Sequence, residues 1–379
     1  MKLATTILVF CLAALSALGL VMIFSASTGQ PEARYLFWQP IWSGLGLAAF
    51  LATAAGNYRW LKKSSWVPWT LLGLAVGLLV ITLVPQIGLK INGARRWLGA
   101  GGLRFQPSEF AKIALIIVLA WYGEKYQRYM PTFFRGLVIP GLMVGLVLGL
   151  IFLEPDVGTA LLLGMVCCIL LLIAGIRWRY ILPPVLICLS LMGYFLYKNP
   201  MRSERIYAWL HPEETKLDKG LQTYQAMVAL GSGGWTGVGL GDGRQKLGFV
   251  PEHHTDFIFS VIGEELGLTA TSAVLLTFVT VLSCGVYIAW HARDTFGMLL
   301  ASGLTFLISL QAIVNIGVVT GALPNKGLSL PFISYGGSNL VVMFTGIGLL
   351  ISVARQSGSA KQIFQESLED SGAVSSSGL

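Results

Sequence analysis

The segment VPEHHTDFIFSVIGEELG, Val250 to Gly267, sets Glu252, His253, His254 and Asp256 before an apolar run and places Glu264 and Glu265 inside it. A carboxylate at the edge of an apolar segment, facing a cavity, is placed to take a proton from a substrate hydroxyl, which makes Asp256 the candidate general base. The competing reading is structural. Pro251 stops the preceding chain, Thr255 is an acceptable N-cap, and Asp256 would stand in the first helical turn, where a carboxylate suits the helix dipole. Metal binding by EHHTD is the weaker option, because adjacent histidines point apart and no HExxH spacing exists. Glu264 and Glu265 lie about 12 to 13 Å further along a helix axis. At about 100° per residue, Glu264 is turned about 80° from Asp256 and Glu265 about 180°, so at most one shares its face. Ionisable groups at that depth need partners, and Lys112 is one candidate.

Three further segments carry polar groups. QIGLKINGARRWLGAGGLRFQPSEF gathers Lys90, Arg95, Arg96 and Arg104 around Trp97, and the segment 198–255 adds Lys198, Arg202, Arg205, Lys216, Lys219, Arg244 and Lys246. Basic groups collected there invite an anionic partner; solvated charge and lipid headgroups are the plainer reading. GLIFLEPDVGTALL places Glu154 and Asp156 in a short turn, either as a carboxylate pair of the kind glycosidases use or as a turn with a helix-starting aspartate. In GVVTGALPNKGLSLPFISYGGSNL, prolines and glycines break an apolar region around Lys326, Ser334 and Tyr335. Irregular backbone at membrane depth is tolerated only when it is buried or lines a cavity, so something polar is accommodated here.

The elements that must position these groups follow from composition. Of 379 residues 55% are hydrophobic and only 12% charged, with mean hydropathy +0.71, which excludes an ordinary soluble domain. Apolar runs near 4–25, 36–55, 66–84, 109–122, 137–153, 157–175, 181–197, 256–290, 296–321 and 332–354 predict an all-α polytopic membrane protein of about ten spans, with one large outer loop between the seventh and eighth. Arg59, Lys62, Lys63, Lys125, Arg128, Arg135, Arg177 and Arg179 then lie on the side of the termini, which the positive-inside trend makes cytoplasmic. The first run is too long for a signal-peptide core and is kept as a span. The five cysteines match no metal spacing and read as small core residues. Residues 1–355 form one transmembrane domain, and the Ser/Gly-rich segment 356–379 reads as a disordered cytoplasmic tail. No nucleotide-binding loop is present in the sequence, and no nucleic-acid partner is expected.

Taken in order, ARRWLGAGGLRFQPSEFAK, EPDVGT, PEHHTDFIFSVIGEELG and GVVTGALPNKGLSLPFISYGG resemble the SEDS family of bacterial cell-wall proteins, and its division branch more than its elongation branch. The resemblance implies a peptidoglycan glycosyltransferase that polymerises lipid II on the outer face of the cytoplasmic membrane. By motif, Asp256 matches the family's essential aspartate, and Arg95, Arg96 and Trp97 its ARRW segment. It further implies support by a divalent cation, Mg²⁺ or Mn²⁺, and work beside a class B penicillin-binding protein of the FtsI type and the division proteins FtsQ, FtsL and FtsB. Lys90, Lys326, Arg95 and Arg96 are the candidates to meet a lipid pyrophosphate. Glu264, Glu265, Lys112, Asp156, Ser334 and Tyr335 are the supporting polar groups. A lipid transporter and a docking scaffold are the readings from other classes; a transporter must open to both faces, whereas these charges gather on one.

Overall fold

In lipid a spanning segment must satisfy its own backbone hydrogen bonds, and this chain does so as helices. The computed structural model describes residues 1–27, 34–91, 93–100, 103–198, 200–215, 220–244 and 255–376. Its helices are α1 (Lys2–Ser27), α2 (Arg34–Ala55), the short α3 (Trp60–Lys63), α4 (Trp66–Leu83), α5 (Pro107–Lys125), α6 (Ile139–Leu153), α7 (Val157–Ile173), α8 (Trp178–Lys198), α9 (Pro200–Leu210), α10 (Leu221–Ser232), α11 (Ile258–Trp290), α12 (Thr295–Val319) and α13 (Gly337–Ser376). Seven stretches among the described residues are helical, long and apolar enough to cross a membrane, and α7 is a shorter apolar helix. The chain is a multi-pass membrane protein. α2 and α5 occupy two more of the expected spans.

The centre of the bundle is α12, packed against α5, α7, α11 and α13, while α2 lies along α13 and α1 along α11. By contrast only 6% of the apolar window in α8 is buried. It stands at the rim of the bundle, with little of the described chain packed over it. The cysteines are all free; Cys11, Cys167 and Cys284 are buried, but Cys168 is half-buried and Cys188 exposed, so the core reading fails for Cys188. α13 is helical through Ser376, into the polar segment that composition sets apart as a tail.

Two connections are more ordered than the sequence reading allows. The basic stretch after α4 folds into an antiparallel three-stranded sheet, β1 (Leu89–Ile91), β2 (Ala94–Ala100) and β3 (Leu103–Phe105), in that order. Lys90 pairs with Arg95 and Gly99 with Arg104 in the register. The Asn92-Gly93 dipeptide is a hairpin signal, and Gly93 adopts φ 81° at the turn. The segment between α8 and α11 likewise carries α9 and α10 instead of being one loop.

α11 is broken at Gly267, whose φ 72° and ψ −171° are not helical. The break frees backbone groups, and a glycine-rich segment takes them up: Val238 and Gly239 donate to the carbonyls of Glu264 and Glu265 at 2.9 and 3.1 Å, while Leu268 and Thr269 donate to those of Gly234 and Trp235 at 2.9 and 3.2 Å. The nine residues before the break thus form a separate helical piece, with Asp256 just ahead of its start.

Candidate functional site

Asp256 lies in a turn, not in the first helical turn. The N-cap of α11 is Phe257 and carries no side-chain cap, so the Thr255 capping reading is not realised. The residue is half-buried and its carboxylate abuts the irregular loop between α12 and α13: a Cβ placed on Gly327 would stand 2.8 Å from Asp256 Oδ2. The peptide carbonyl of Asp256 accepts from Asn315 Nδ2 at 2.7 Å, and the same nitrogen donates to the Leu328 carbonyl at 2.6 Å. One turn earlier on α12, Gln311 Nε2 donates to the Ser329 carbonyl at 2.9 Å. Glu252, His253, His254, Pro251, Lys216, Lys219 and Lys246 lie outside the described residues.

The α12–α13 loop is held from several sides. Lys326, half-buried, precedes Gly327, and its carbonyl accepts from Leu328 N at 3.0 Å. Ser334 is buried and closes a local turn, its Oγ accepting from Leu330 N at 2.7 Å, so it serves the loop rather than facing a cavity. Tyr335 packs half-buried against the core. Trp209 Nε1 on α9 donates to the Gly321 carbonyl at 2.8 Å, and Asn325 Nδ2 donates to Gln222 on α10 at 3.0 Å. Both helices of the segment between α8 and α11 therefore touch this loop.

Arg96 acts on the turn between α6 and α7. Its Nε donates to the Glu154 carbonyl at 2.9 Å, its Nη2 to the Pro155 carbonyl at 2.6 Å, and its Nη1 stands 3.8 Å from Asp156 Oδ1. Asp156 is the N-cap of α7, accepting from Thr159 N at 3.2 Å and Thr159 Oγ1 at 2.9 Å, and it also accepts from Gln106 Nε2 at 3.3 Å. That is the structural alternative for Asp156 rather than a glycosidase-like pair. The same turn backs onto the irregular loop, since a Cβ on Gly158 would stand 3.6 Å from Leu328 Cγ. Contacts thus run from Arg96 through the Glu154–Gly158 turn and Leu328–Gly327 to Asp256. Residues distant in sequence meet on one face of the membrane domain.

Neighbouring basic groups differ from Arg96. The Arg95 guanidinium makes no hydrogen bond or ion pair among the described residues, and Lys90, opposite it in the sheet, is exposed. Trp97 is half-buried on β2. The sheet is fastened to the bundle by Ser338 on α13, which accepts from Gln106 N at 3.0 Å and donates to the Arg104 carbonyl at 3.3 Å.

Glu154 is fully buried, and neither carboxyl oxygen has a hydrogen-bond partner among the described residues. Burial first, and the nearby Asp156 charge second, push its carboxyl up to about 8 against the pull of Arg96. That shift favours the protonated form at pH 7.

The supporting carboxylates have other duties than sequence spacing suggests. Lys112 pairs with Glu109 at 2.6 Å, not with Glu264 or Glu265, and also donates to Gln311 Oε1 at 3.1 Å. Glu109 is one turn from Lys112 on α5, so the nearest pairing wins in the apolar interior. Asn339 Nδ2 completes the cluster with a 2.9 Å bond to Glu109. Glu264 accepts from Arg244 N at 2.8 Å, and Glu265 from Gly241 N at 3.1 Å and from Ser25 Oγ at 2.5 Å. Both therefore hold the glycine-rich segment. Asn315, Gln311, Gln106 and Glu109 were not singled out in the sequence; Gln311 and Asn315, two amides at i and i+4 inside an apolar helix, were the visible signal.

Among the described residues no three His, Cys, Asp or Glu side chains converge to hold a metal ion.

The chain is 41% identical over 347 residues, 90% of its length and 92% of the relative's, to a probable peptidoglycan glycosyltransferase FtsW of Geobacter metallireducens. It is 37% identical over 354 residues, 90% of its length and 94% of the relative's, to the stage V sporulation protein E of Bacillus subtilis. Among solved structures it resembles a chain from a peptidoglycan synthase complex described for its coordination of polymerization and crosslinking, with TM-score 0.77, 30% identity, and 92% of this chain and 97% of that one covered. The rod shape determining protein RodA of Thermus thermophilus matches with TM-score 0.69 at 30% identity over 92% of this chain and 96% of that one. The cell cycle protein model spanning FtsW, RodA and SpoVE matches residues 5–359, which takes in every helix and loop that builds this site; the chain belongs to that family.

Proposed function

We propose that this protein is a peptidoglycan glycosyltransferase of the division type, polymerising lipid II into glycan strands at the outer face of the cytoplasmic membrane. The observation that carries the reading is the placement of the Asp256 carboxylate against Gly327, in a loop that also backs onto the turn held by Arg96. A group that must take a proton and a sheet rich in guanidinium and ammonium groups thereby share one face.

In the reaction the acceptor sugar hydroxyl attacks the anomeric carbon of the donor. The new carbon–oxygen bond forms as the bond from that carbon to the pyrophosphate oxygen breaks. Asp256 takes the hydroxyl proton, and the lipid pyrophosphate departs as an anion. Arg95, Lys90 and Lys326 supply positive charge to it, while Arg96 is committed to the Glu154 and Pro155 carbonyls and shapes the site. A single displacement needs one base and no covalent intermediate on the protein. A requirement for Mg²⁺ or Mn²⁺ belongs to the proposal on the strength of the family resemblance alone, and no step here runs through the ion. The same resemblance supports a class B penicillin-binding protein as crosslinking partner, FtsQ, FtsL and FtsB nearby at the septum, and both termini in the cytoplasm.

The deciding experiment is polymerisation of lipid II by the purified protein with its transpeptidase, comparing wild type with Asp256→Ala and Asp256→Asn. Glycan strands from wild type and none from either folded variant are expected. Normal polymerisation by Asp256→Asn sinks the general-base role, and translocation of lipid II without strand formation makes the protein a transporter.

A further inference from the structure

The geometry points to Asn315 as the residue that positions Asp256, an inference that rests on the general-base reading above. Asp256 lies in a turn whose following helix begins without a side-chain cap. α12 supplies a contact that ties this turn to a second segment. Asn315 is 1% exposed, and its single NH₂ group donates one bond to the Asp256 carbonyl at 2.7 Å and one to the Leu328 carbonyl at 2.6 Å. Both groups facing the amide are carbonyl oxygens, so the nitrogen must point at them; turned over, the amide oxygen would meet two like dipoles.

The consequence is a common register for two segments distant in sequence. With the peptides of Asp256 and Leu328 fastened to one nitrogen, the residue before Leu328 is Gly327, whose bare α-carbon leaves room for Asp256 Oδ2. Gln311, on the same face of α12, holds the next carbonyl, that of Ser329, so the loop cannot slide past the aspartate. The other half of the Asn315 amide supports this assignment. Its Oδ1 is buried without a hydrogen-bond partner among the described residues. A side chain kept only to fill the bundle would not leave a buried acceptor unmet, so the asparagine is there for its two N–H groups. Buried behind the aspartate, Asn315 acts through Asp256 and is a positioning residue.

The test is lipid II polymerisation in proteoliposomes by wild type, Asn315→Leu, Asn315→Gln and Asp256→Asn, with the unfolding temperature of each. Leucine keeps the volume and removes both donors; glutamine keeps the NH₂ group. Asn315→Leu is expected to lower kcat about 10- to 100-fold with KM for lipid II within about twofold, since misplacing a reacting group by about 1 Å costs rate rather than binding. Asn315→Gln is expected to recover part of the rate. Wild-type kcat in Asn315→Leu overturns the inference, as does a loss that tracks the unfolding temperature and is as deep in Asn315→Gln. Wild-type rates from Asp256→Asn remove the general-base reading, and this inference with it, whatever the Asn315 variants do.

Discussion

Gly327 has no side chain at the point where the Asp256 carboxylate stands; a β-carbon there would lie 2.8 Å from Oδ2. The obstructing atom is the end of a short, rotatable side chain rather than backbone. Gly327→Ala is therefore expected to change unfolding stability by no more than about 0.5 kcal/mol, as exposed substitutions do. By swinging the carboxylate aside it is expected to lower polymerisation at least about tenfold. Rates and unfolding temperatures on the same preparation check both parts, and an unimpaired rate would separate the carboxylate from the chemistry.

Arg95 and Arg96 are adjacent in sequence but should fail differently. Arg96→Gln removes the bonds to the Glu154 and Pro155 carbonyls and is expected to cost about 1.5–3 kcal/mol of stability, the range for bonds to a charged group. Arg95→Gln should leave the unfolding temperature unchanged and raise KM for lipid II, because among the described residues its guanidinium is not engaged. Measuring KM and thermal unfolding for both variants tells the two roles apart.

Glu154 predicts a pH dependence of stability. Its carboxyl is raised from 4.5 to about 8, so between those values the folded protein keeps a proton that the unfolded chain has released. The stability this contributes is fully present below about pH 4.5 and is lost as pH rises through about 8. Glu154→Gln, neutral at every pH, should gain on wild type steadily across that window and hold a constant advantage above it. Unfolding temperatures from pH 5 to pH 9 read this directly; parallel curves would mean that Glu154 is not held neutral.

Gly267 is where α11 opens to receive the glycine-rich segment. A Cβ there would collide with the Gly237 nitrogen and stand 2.6 Å from the Trp235 carbonyl oxygen, and φ 72° disfavours any side chain. Gly267→Ala is expected to cost about 3 kcal/mol or more. Proteolysis within 233–244 should become faster, since the inserted segment loses its seat. A variant as stable and as protease-resistant as wild type would show that the break tolerates a side chain.

Sequence alone determined the class and the candidates. Apolar runs of the right length can do little but span a membrane as helices, and a carboxylate beside such a run is costly enough to draw notice, as Asp256 did. The order of four long motifs likewise carried the family resemblance without any structure. Period and composition report only on neighbours along the chain, however, and the site is built across it. That Arg96 spends its guanidinium on the Glu154–Pro155 turn, and that Asn315 ties Asp256 to Leu328, depends on how α7, α11 and α12 pack. Lys112 shows the same limit from the other side: a buried charge needs a partner, but only the packing of α5, α12 and α13 decides that the partners are Glu109 and Gln311 instead of Glu264 or Glu265. The glycines of 233–243 announce no partner in one dimension. In three dimensions their missing side chains let that segment enter the break at Gly267, because backbone groups freed inside an apolar bundle must find partners and only bare backbone comes close enough.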